Sequence, residues 1–555
     1  MKRILILIAT LSLAALSANA SGTGIDLATA SRTAMEFLSS RSGTRLATAP
    51  HQLWIHEEQG AARQAAYYIV STDRGFVIVA GDSRVRQVLA YGDQSLEDID
   101  AMPTAMHYFL ELYRRQLDFL QSFPELELPA RSRYDTDLPE KTVEPLLRSQ
   151  WGQTNPYNFK CPKVDGLLTY VGCSAIALAQ VMRYWEYPAA CDSLPSYITR
   201  TLGMSVEALE GTALDWENML DRYRIGGDHT TEQLNAVTTL LRYVGQAEHM
   251  DYRTTASDAG EEDILKAINT FRYDPDALYV EKSSVEGVTY YSDAIWETML
   301  REELYCGRPV IYCGYSLIND STSTLTGHAF NVDGYDANND LYHVNFGWRG
   351  SGDGYFALNA FTLSNYNFNI GQLMFLKVMP PRTDPVMLPT DSAAVDTTCF
   401  HAQWTDETSP KLVGHYVLEV ATTSDFDPDG TQHRLMEGIT RTSCVIDSLT
   451  AGTTYYYRVQ AIYIDGTASE WSNVETVTTP GHAYVLGDCN HDGIFGIADV
   501  TCLIDHILNH DFWVCPICAD MKADGIIDIS DVTTMIDYIL GNLGDTNTDT
   551  DPLKP

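Results

Sequence analysis

TYVGCSAIALAQVMRYWEYP, residues 169–188, is the stretch that decides the fold of the central part of this chain. From Ser174 to Met182 nearly every residue is small or apolar, a pattern that predicts a helix buried on all its faces. Cys173 follows Gly172 at the start of this helix. The unpaired N–H groups of a first helical turn and the positive end of the helix dipole favour the thiolate form of a thiol. The stretch therefore indicates that Cys173 is a nucleophile. The simpler alternative is that Cys173 is only a small buried apolar residue.

Two other stretches carry the side chains that a cysteine nucleophile needs. QWGQTNPYNFKCP, residues 150–162, contains Gln153, whose amide can donate a hydrogen bond to an oxyanion. TGHAFNVDGYDANNDLYHVNFGWRGSGDGYF, residues 326–356, contains His328 and Asn345. A thiol, an imidazole that takes its proton, an amide that orients the imidazole and a second amide for the oxyanion are the parts of an acyl-transfer site.

Together and in this order, the three motifs closely resemble the streptopain family of papain-like cysteine peptidases. The resemblance implies that Cys173 is the nucleophile, His328 the general base, Asn345 the residue that orients the imidazole and Gln153 the oxyanion-hole amide. It also implies protein or peptide substrates, and no cofactor for catalysis. Where the family usually has Trp after the Asn, this chain has Phe346, and we expect its ring still to cover the His–Asn pair.

The sequence between His328 and Asn345 leaves their contact open. A hairpin turn centred on residues 338–339 would offset the two residues by four positions, about 13 Å along a strand. Direct pairing requires a turn centred near residues 336–337, or a β-bulge. His343 shares a strand face with Asn345 and is therefore the rival general base.

The N-terminal part predicts a leader followed by a separate domain. Residues 1–20 combine a basic start, an apolar run and a small-residue cleavage site, which predicts a signal peptide and a secreted protein. Residues 21–142 predict an α+β prodomain and linker, with helices over Ile25–Ser39 and about Pro103–Leu120 around alternating strands. This region resembles the inhibitory propeptide of the streptopain family, which implies a latent zymogen inhibited by its own prodomain. An unrelated α+β binding module is the alternative.

The central domain, residues 143–380, places its helices before its strands. Besides the Cys173 helix, helical patterns cover Thr231–Val244 and Asp258–Thr270, and strands follow from Pro309 onward. This segregation predicts a two-lobed α+β fold, which the resemblance makes papain-like, with the site in the cleft between the lobes.

Residues 383–480 contain short alternating strands separated by turns, which predicts a β-sandwich. Trp404, the run LTAGTTYYY and the SEWSN turn resemble a fibronectin type III domain, which implies a role in spacing or adhesion. Cys399 and Cys444 lie on strands that would be neighbours, so either a disulfide or two free thiols fits the pattern.

Residues 482–544 contain a duplicated acidic loop, and each copy runs on into a helical pattern. Oxygen ligands at positions 1, 3, 5 and 12 with Gly at position 6 predict an all-α pair of EF-hand-like calcium loops. Lys522 replaces a ligand in the second copy. The pair resembles a type I dockerin, which implies structural Ca²⁺ and a cohesin-like partner; a plain helix pair is the alternative. The predicted ligands are Asp488, Asn490, Asp492, the Ile494 carbonyl, Asp499, Asp520, Asp524, the Ile526 carbonyl and Asp531.

Composition narrows the possible functions. The chain has 74 acidic and 37 basic side chains and a formal net charge of −37, so it should repel nucleic acid and anionic lipid. After the leader no apolar run is long enough to span a membrane, and residues 545–555 read as a disordered tail. Eleven cysteines leave at least one thiol unpaired. We predict a secreted, multidomain cysteine endopeptidase made as a latent zymogen; the competing hypothesis is a non-catalytic secreted adhesion or scaffold protein.

Overall fold

The structure is a computed structural model, and its contacts divide the chain into two compact units, Met1–Pro381 and Arg382–Pro555. The predicted signal peptide and C-terminal tail lie outside the described residues. No helix among the described residues is both long enough and apolar enough to cross a membrane. The structure describes residues 23–41, 51–60, 64–96, 98–99, 102–128, 140–282, 284–285, 288–289, 291–317, 325–360, 371–391, 394–427, 432–480, 485–490, 494–508, 514 and 516–541.

The first unit mixes helices and strands throughout. Its helices, within the ranges given above, are α1 (Leu27–Arg41), α2 (Thr104–Ser122), α3 (Cys173–Trp185), α4 (Thr231–Ala247), α5 (Glu261–Thr270) and α6 (Asp293–Tyr305). Its strands are β1 (Gln52–Gln59), β2 (Ala65–Thr72), β3 (Gly75–Ala80), β4 (Val88–Gly92), β5 (Lys163–Val164), β6 (Leu167–Leu168), β7 (Ala190–Cys191), β8 (Tyr197–Ile198), β9 (Ser205–Val206), β10 (Thr212–Ala213), β11 (Leu278–Glu281), β12 (Ser284–Val285), β13 (Val288–Thr289), β14 (Val310–Leu317), β15 (Leu325–Asp336), β16 (Leu341–Asn345), β17 (Gly354–Phe356) and β18 (Leu373–Leu376).

A ten-stranded antiparallel sheet joins the N-terminal region to the central domain. Its order is β1-β2-β3-β4-β17-β16-β15-β14-β18-β11, so the four N-terminal strands continue directly into the six strands of the central domain. The junction is β4 with β17, where Tyr91 lies opposite Tyr355 and Ala90 opposite Phe356. The N-terminal domain is thus an extension of the central sheet, which the sequence did not predict.

Helices α1, α2 and α3 pack on this sheet. α1 packs on β2 and β3, whereas α2 packs on β2 and also on β14 and β15 of the central domain. α3 packs against β15 and α4. Every residue from Ser174 to Met182 is buried, which confirms the prediction of a helix enclosed on all sides.

The second unit contains two antiparallel sheets that share one apolar core, as the strand alternation predicts. The strands are β19 (Val386–Leu388), β20 (Phe400–Thr405), β21 (Val413–Ala421), β22 (Arg434–Ile439), β23 (Ser443–Ile446), β24 (Thr454–Tyr463) and β25 (Glu475–Thr478). The sheets have the orders β19-β20-β23 and β22-β21-β24-β25. No disulfide joins Cys399 to Cys444, because Cys444 lies opposite Ala402; the disulfide alternative is wrong.

Three helices follow the sandwich among the described residues, α7 (Ile497–Leu508), α8 (Pro516–Ala519) and α9 (Ile529–Ile539). α7 packs against α9, and their buried contacts include Leu503 and Met535. Each of these two longer helices follows one copy of the duplicated acidic loop.

Candidate active site

Cys173 is the first residue of α3, as the sequence predicts. Gly172 before it has a φ of 102°, and a Cβ atom there would lie 2.6 Å from the Met250 sulfur, so only glycine fits. The backbone N–H of Ala329 donates to Cys173 Sγ at 3.5 Å. Burial raises the pKa of the Cys173 thiol, although N–H groups of Ala329 and Ser174 act in the opposite direction. The first helical turn supplies donors as expected, but in this structure burial outweighs them and the thiol keeps its proton.

His328 lies on β15, directly opposite Gly314 and one residue before the contact with Cys173. Its Nε2 atom is buried and has no hydrogen-bond partner among the described residues. Burial, reinforced by the nearby His107, lowers the pKa of His328 to about 4. The imidazole is therefore neutral at neutral pH and does not form an ion pair with a thiolate.

Asn345 is the last residue of β16 and is buried, but its amide is bonded to the backbone. Its Nδ2 donates to the Ser149 carbonyl at 2.9 Å, and its Oδ1 accepts from the Gly347 N–H at 3.1 Å. The Ser149 carbonyl also accepts from Gln180 Nε2 at 2.5 Å. These bonds fix the amide beside α3, and none of those among the described residues joins it to His328.

The register of β15 and β16 explains this separation. The turn is centred on residues 338–339, and a β-bulge after Val332 leaves Asn331 opposite Asn345. His328 lies three residues further along β15, about 10 Å away. The bulge therefore reduces the predicted offset by one residue and does not remove it.

Gln153 lies beside the segment that leads into α3. Its carbonyl oxygen accepts a hydrogen bond from the N–H of Val171 at 3.0 Å, two residues before Cys173. The structure therefore brings these two sequence motifs together. The use of the Gln153 amide as an oxyanion donor stays a prediction.

Phe346 is buried in an aromatic cluster shared with α2. Its ring centroid lies 5.3 Å from that of Phe356, 5.7 Å from that of Phe330 and 6.2 Å from that of Phe109. No ring contact within the described part of the chain joins it to His328. The expected cover over the His–Asn pair is therefore not seen among these ring contacts, which join Phe346 to two rings of the central domain and to Phe109 of α2.

His343, the rival base, is bonded to a carboxylate. Its Nδ1 lies 2.6 Å from Asp333 Oδ1, and its ring packs edge-on against Tyr355 with centroids 5.0 Å apart. Burial alone would lower the pKa of His343, but the charge and hydrogen bond of Asp333 raise it overall. His328 is the histidine adjacent in sequence to the residue that contacts Cys173, and it remains our candidate base.

Helix α2 of the N-terminal domain covers the strand that carries His328. The Tyr108 ring lies so close to Gly314 that a Cβ atom there would be 2.8 Å from it. The Phe109 ring packs 5.7 Å from that of Phe330, two residues from His328. The N-terminal domain thus contributes to the buried surroundings of this strand, and its His107 adds to the lowering of the His328 pKa.

Polar contacts hold the same domain on the hairpin turn between β15 and β16. Tyr91 Oη donates to Asp336 Oδ2 at 2.7 Å, and Arg41 Nη1 lies 3.3 Å from the same oxygen. Arg86 donates to the carbonyl of Asp340 at 2.7 Å and to its carboxylate at 3.0 Å. The N-terminal domain therefore contacts β15 near His328 and also the hairpin turn at the other end of that strand.

Sequence reasoning missed two polar residues beside the nucleophile. Ser174 Oγ donates to Glu248 Oε2 at 2.6 Å, and both residues are buried. Glu248 caps the C-terminal end of α4, where the helix dipole disfavours an acidic side chain. That unfavourable placement is the signal that could have identified it.

Comparisons with known proteins match two parts of the first unit. The models of the Peptidase C10 family and of the Spi protease inhibitor match residues 151–356 and 22–117, respectively. A streptopain of Streptococcus pyogenes serotype M28 is 30% identical over 317 residues, covering 53% of this chain and 73% of that protein. The thiol protease/hemagglutinin PrtT of Porphyromonas gingivalis is 26% identical over 349 residues, covering 60% of this chain and 38% of that protein. A solved fragment of prointerpain A from Prevotella intermedia is 26% identical, with a TM-score of 0.47, and covers 59% of this chain and 97% of that one.

Proposed function

Because this chain belongs to the Peptidase C10 family of cysteine proteases, we propose that it is a secreted endopeptidase, made as a latent zymogen, that cleaves proteins through Cys173 and His328. The observation that carries the site assignment is the 3.5 Å contact between Cys173 Sγ and the N–H of Ala329. It brings the start of α3 to the strand of the candidate base. The non-catalytic scaffold hypothesis is disfavoured, since the relatives that define the family are proteases.

The proposed reaction is acyl transfer to the cysteine followed by hydrolysis. His328 takes the thiol proton, and Cys173 Sγ attacks the peptide carbonyl carbon to form a tetrahedral oxyanion. The Gln153 amide and the Cys173 backbone N–H stabilise that oxyanion. The imidazolium of His328, oriented by Asn345, then protonates the leaving amine. Water, deprotonated by the same imidazole, hydrolyses the acyl-enzyme, and papain-like cysteine proteases need no cofactor for these steps.

The covered site accounts for latency through its protonation states. Burial raises the pKa of the Cys173 thiol and lowers the pKa of His328 to about 4, so proton transfer between them is opposed at both groups. Displacing α2 hydrates the imidazole and removes His107 from its surroundings. Return of the His328 pKa to about 6.5 would favour the imidazolium by roughly 3 kcal/mol. His328 must also approach Asn345, which requires β15 to shift relative to β16 from the register of this structure.

Replacing Cys173 by Ala tests the assignment directly. We expect Cys173→Ala in the processed enzyme to abolish hydrolysis of casein while leaving the fold intact, because a methyl group keeps most of the packing and removes the nucleophile. Cys161→Ala is the matched control, since Cys161 is another buried thiol of the same domain. Residual activity of Cys173→Ala within tenfold of the parent would contradict the proposal.

Secretion and targeting complete the proposal. The leader pattern of residues 1–20 supports export, and the sandwich of the second unit resembles a fibronectin type III domain that would space or attach the enzyme. The duplicated C-terminal module would bind a cohesin-like protein partner, on the strength of its resemblance to dockerins.

The two loops of that module offer buried carboxylates suited to a calcium ion. Asp499 and Asp531, at the last ligand position of each loop, are fully buried. Asp499 accepts backbone N–H groups of Asn490 and Gly496 at 3.0 and 2.7 Å, so its orientation is fixed by the loop. A buried carboxylate of this kind fits a cation-binding loop, where calcium would supply structural stability.

The two loops differ at loop position 3, which holds Asn490 in the first loop and Lys522 in the second. Asp492 of the first loop lies outside the described residues. All predicted acidic ligands of the second loop are described, yet no group of three or more His, Cys, Asp or Glu able to hold a metal occurs in the described part of the chain. Lys522 is exposed there and lies near Asp528, whose pKa is lowered by hydrogen bonds from Ser530 and, to a smaller extent, by the lysine charge. The lysine in place of a ligand supports the proposal that the second loop binds calcium more weakly than the first.

A further inference from the structure

Next to the candidate nucleophile lies a carboxyl group that the proposed reaction does not use. Glu248 is fully buried, and its Oε2 accepts the hydroxyl hydrogen of Ser174 at 2.6 Å. Its Oε1 is buried as well, without a hydrogen-bond partner in the described residues. We propose that Glu248 is a positioning residue that acts through Ser174 to hold the first turn of α3 at the Cys173 thiol.

Ser174 connects the two groups physically. Its backbone N–H lowers the pKa of the neighbouring Cys173 thiol, and its hydroxyl donates to Glu248 at 2.6 Å. Fixing the side chain of Ser174 therefore fixes the direction of an N–H group that stabilises the thiolate. Glu248 belongs to the end of α4, so the bond also ties the nucleophile's helix to its neighbour in the core.

The surroundings of Glu248 explain why it works without a charge. A buried carboxylate needs a cation or several donors, and this one has a single hydroxyl and an unpaired oxygen. Burial raises the pKa of Glu248 to about 8; the Ser174 bond opposes this rise and the charge of Asp263 adds to it. The titratable groups coupled to it are Cys173, Cys313, Tyr197, Tyr252 and Asp263.

The nearest arginine does not neutralise the carboxyl group. Arg242 of α4 donates to Gln246 Oε1 at 2.7 Å and lies 5.9 Å from the centroid of the Tyr252 ring. A negative charge on Glu248 raises the pKa of Cys173, so ionisation would disfavour the thiolate. Below about pH 8 the acid is neutral and holds Ser174 without this electrostatic penalty.

The pH dependence of thiol alkylation separates this role from simple packing. The full-length precursor carrying His328→Ala, which blocks self-processing, is treated with iodoacetamide, and the labelled Cys173 peptide is quantified by mass spectrometry. We expect Glu248→Gln to react within twofold of its parent at pH 6.5, where both side chains are uncharged. At pH 9 the Gln variant should react at least threefold faster, because only the parent carries the opposing charge.

Two further variants make the test decisive. Glu297→Gln is the matched control: Glu297 is a buried glutamate of α6 that accepts a hydroxyl bond from Tyr342 at 3.4 Å, and its replacement should leave Cys173 alkylation unchanged at both pH values. Ser174→Ala removes the connecting hydroxyl and should slow alkylation at pH 6.5 at least twofold. Thermal unfolding verifies that each variant is folded.

The proposal would be overturned if the ratio of the alkylation rates of Glu248→Gln and its parent were the same at both pH values, because a purely structural residue gives that result. Unchanged alkylation in Ser174→Ala would overturn the connection through Ser174. The inference rests on Cys173 being the nucleophile, but alkylation reports thiol chemistry and not peptide hydrolysis. Failure of the proposed protease activity would therefore appear in the casein assay and not in this one.

Discussion

Removing the guanidinium of Arg86 should weaken the binding of the N-terminal domain to the peptidase domain about tenfold. Arg86 bonds both the carbonyl and the carboxylate of Asp340, at 2.7 and 3.0 Å. Its side chain is 12% exposed and that of Asp340 is 30% exposed. Hydrogen bonds to charged groups contribute about 1.5–3 kcal/mol, and partial exposure places this pair near the lower end. About 1.5 kcal/mol corresponds to roughly a tenfold increase in the inhibition constant.

The assay adds residues 21–142 as a separate domain to a peptidase that begins at Val143 and follows casein hydrolysis. Arg86→Ala in the added domain should raise the inhibition constant, whereas Arg32→Ala should not. Arg32 is an exposed arginine of α1 whose guanidinium donates to Thr29 of the same helix at 3.3 Å, so it is a fair control for loss of a positive charge.

Equal inhibition by Arg86→Ala and the parent domain would refute the reasoning, since the hairpin contact would then contribute nothing. A similar loss in both variants would indicate a general charge effect on association, which raising the salt concentration would abolish. Thermal unfolding of the added domain distinguishes either result from partial unfolding.

We expect three other outcomes. The chain that begins at Ser21 should be much less active than the one that begins at Val143; equal activity would leave the N-terminal domain without an inhibitory role. Burial lowers the pKa of His328 to about 4 in the covered state against an ordinary value near 6.5, so protons favour the uncovered state between those pH values. We therefore expect calorimetry to show that the N-terminal domain binds Cys173→Ala peptidase at least tenfold more weakly at pH 5 than at pH 7. This pH effect should be lost in the Cys173→Ala, His328→Ala double variant, and parallel pH profiles of the two proteins would contradict the prediction. Calcium titration of the C-terminal module should reveal one tight and one weak site, and Lys522→Asn should strengthen the weak site at least tenfold, whereas two equal sites in the parent would argue against an effect of the lysine.

Local sequence patterns were sufficient to predict those helices whose own residues determine where they begin and how they are buried. The apolar run after Cys173 predicts α3 because no polar face remains for solvent, and the structure buries that run completely. Helix α4 likewise begins where predicted, at Thr231, since Thr230 and Gln233 form a capping box. Helix α6 was missed, although Trp296, Leu300 and Leu304 lie at helical spacing and are buried.

Relations between distant segments could not be read from the sequence in the same way. The offset of His328 from Asn345 depends on one β-bulge, and alternation of side chains along β15 does not reveal an extra residue. The pairing of β4 with β17 depends on which edge of the central sheet is free, which composition does not specify. Glu248 was overlooked because its significance comes from a hydrogen bond to a residue 74 positions away.

These long-range relations explain why the residues predicted for catalysis are near each other but do not form a working site. The motifs describe the chemistry of an uncovered enzyme, whereas the structure contains the covering domain. Pairing at the β4–β17 junction involves two residue pairs, whereas α2 packs on β14 and β15 and its Phe109 ring contacts Phe330 and Phe346. Because one domain makes both contacts, its release would free the sheet edge and expose His328 in a single event. Activation should therefore be cooperative: a partial loosening at the hairpin leaves the imidazole buried by α2, and proton transfer from Cys173 becomes favourable only after that helix has left.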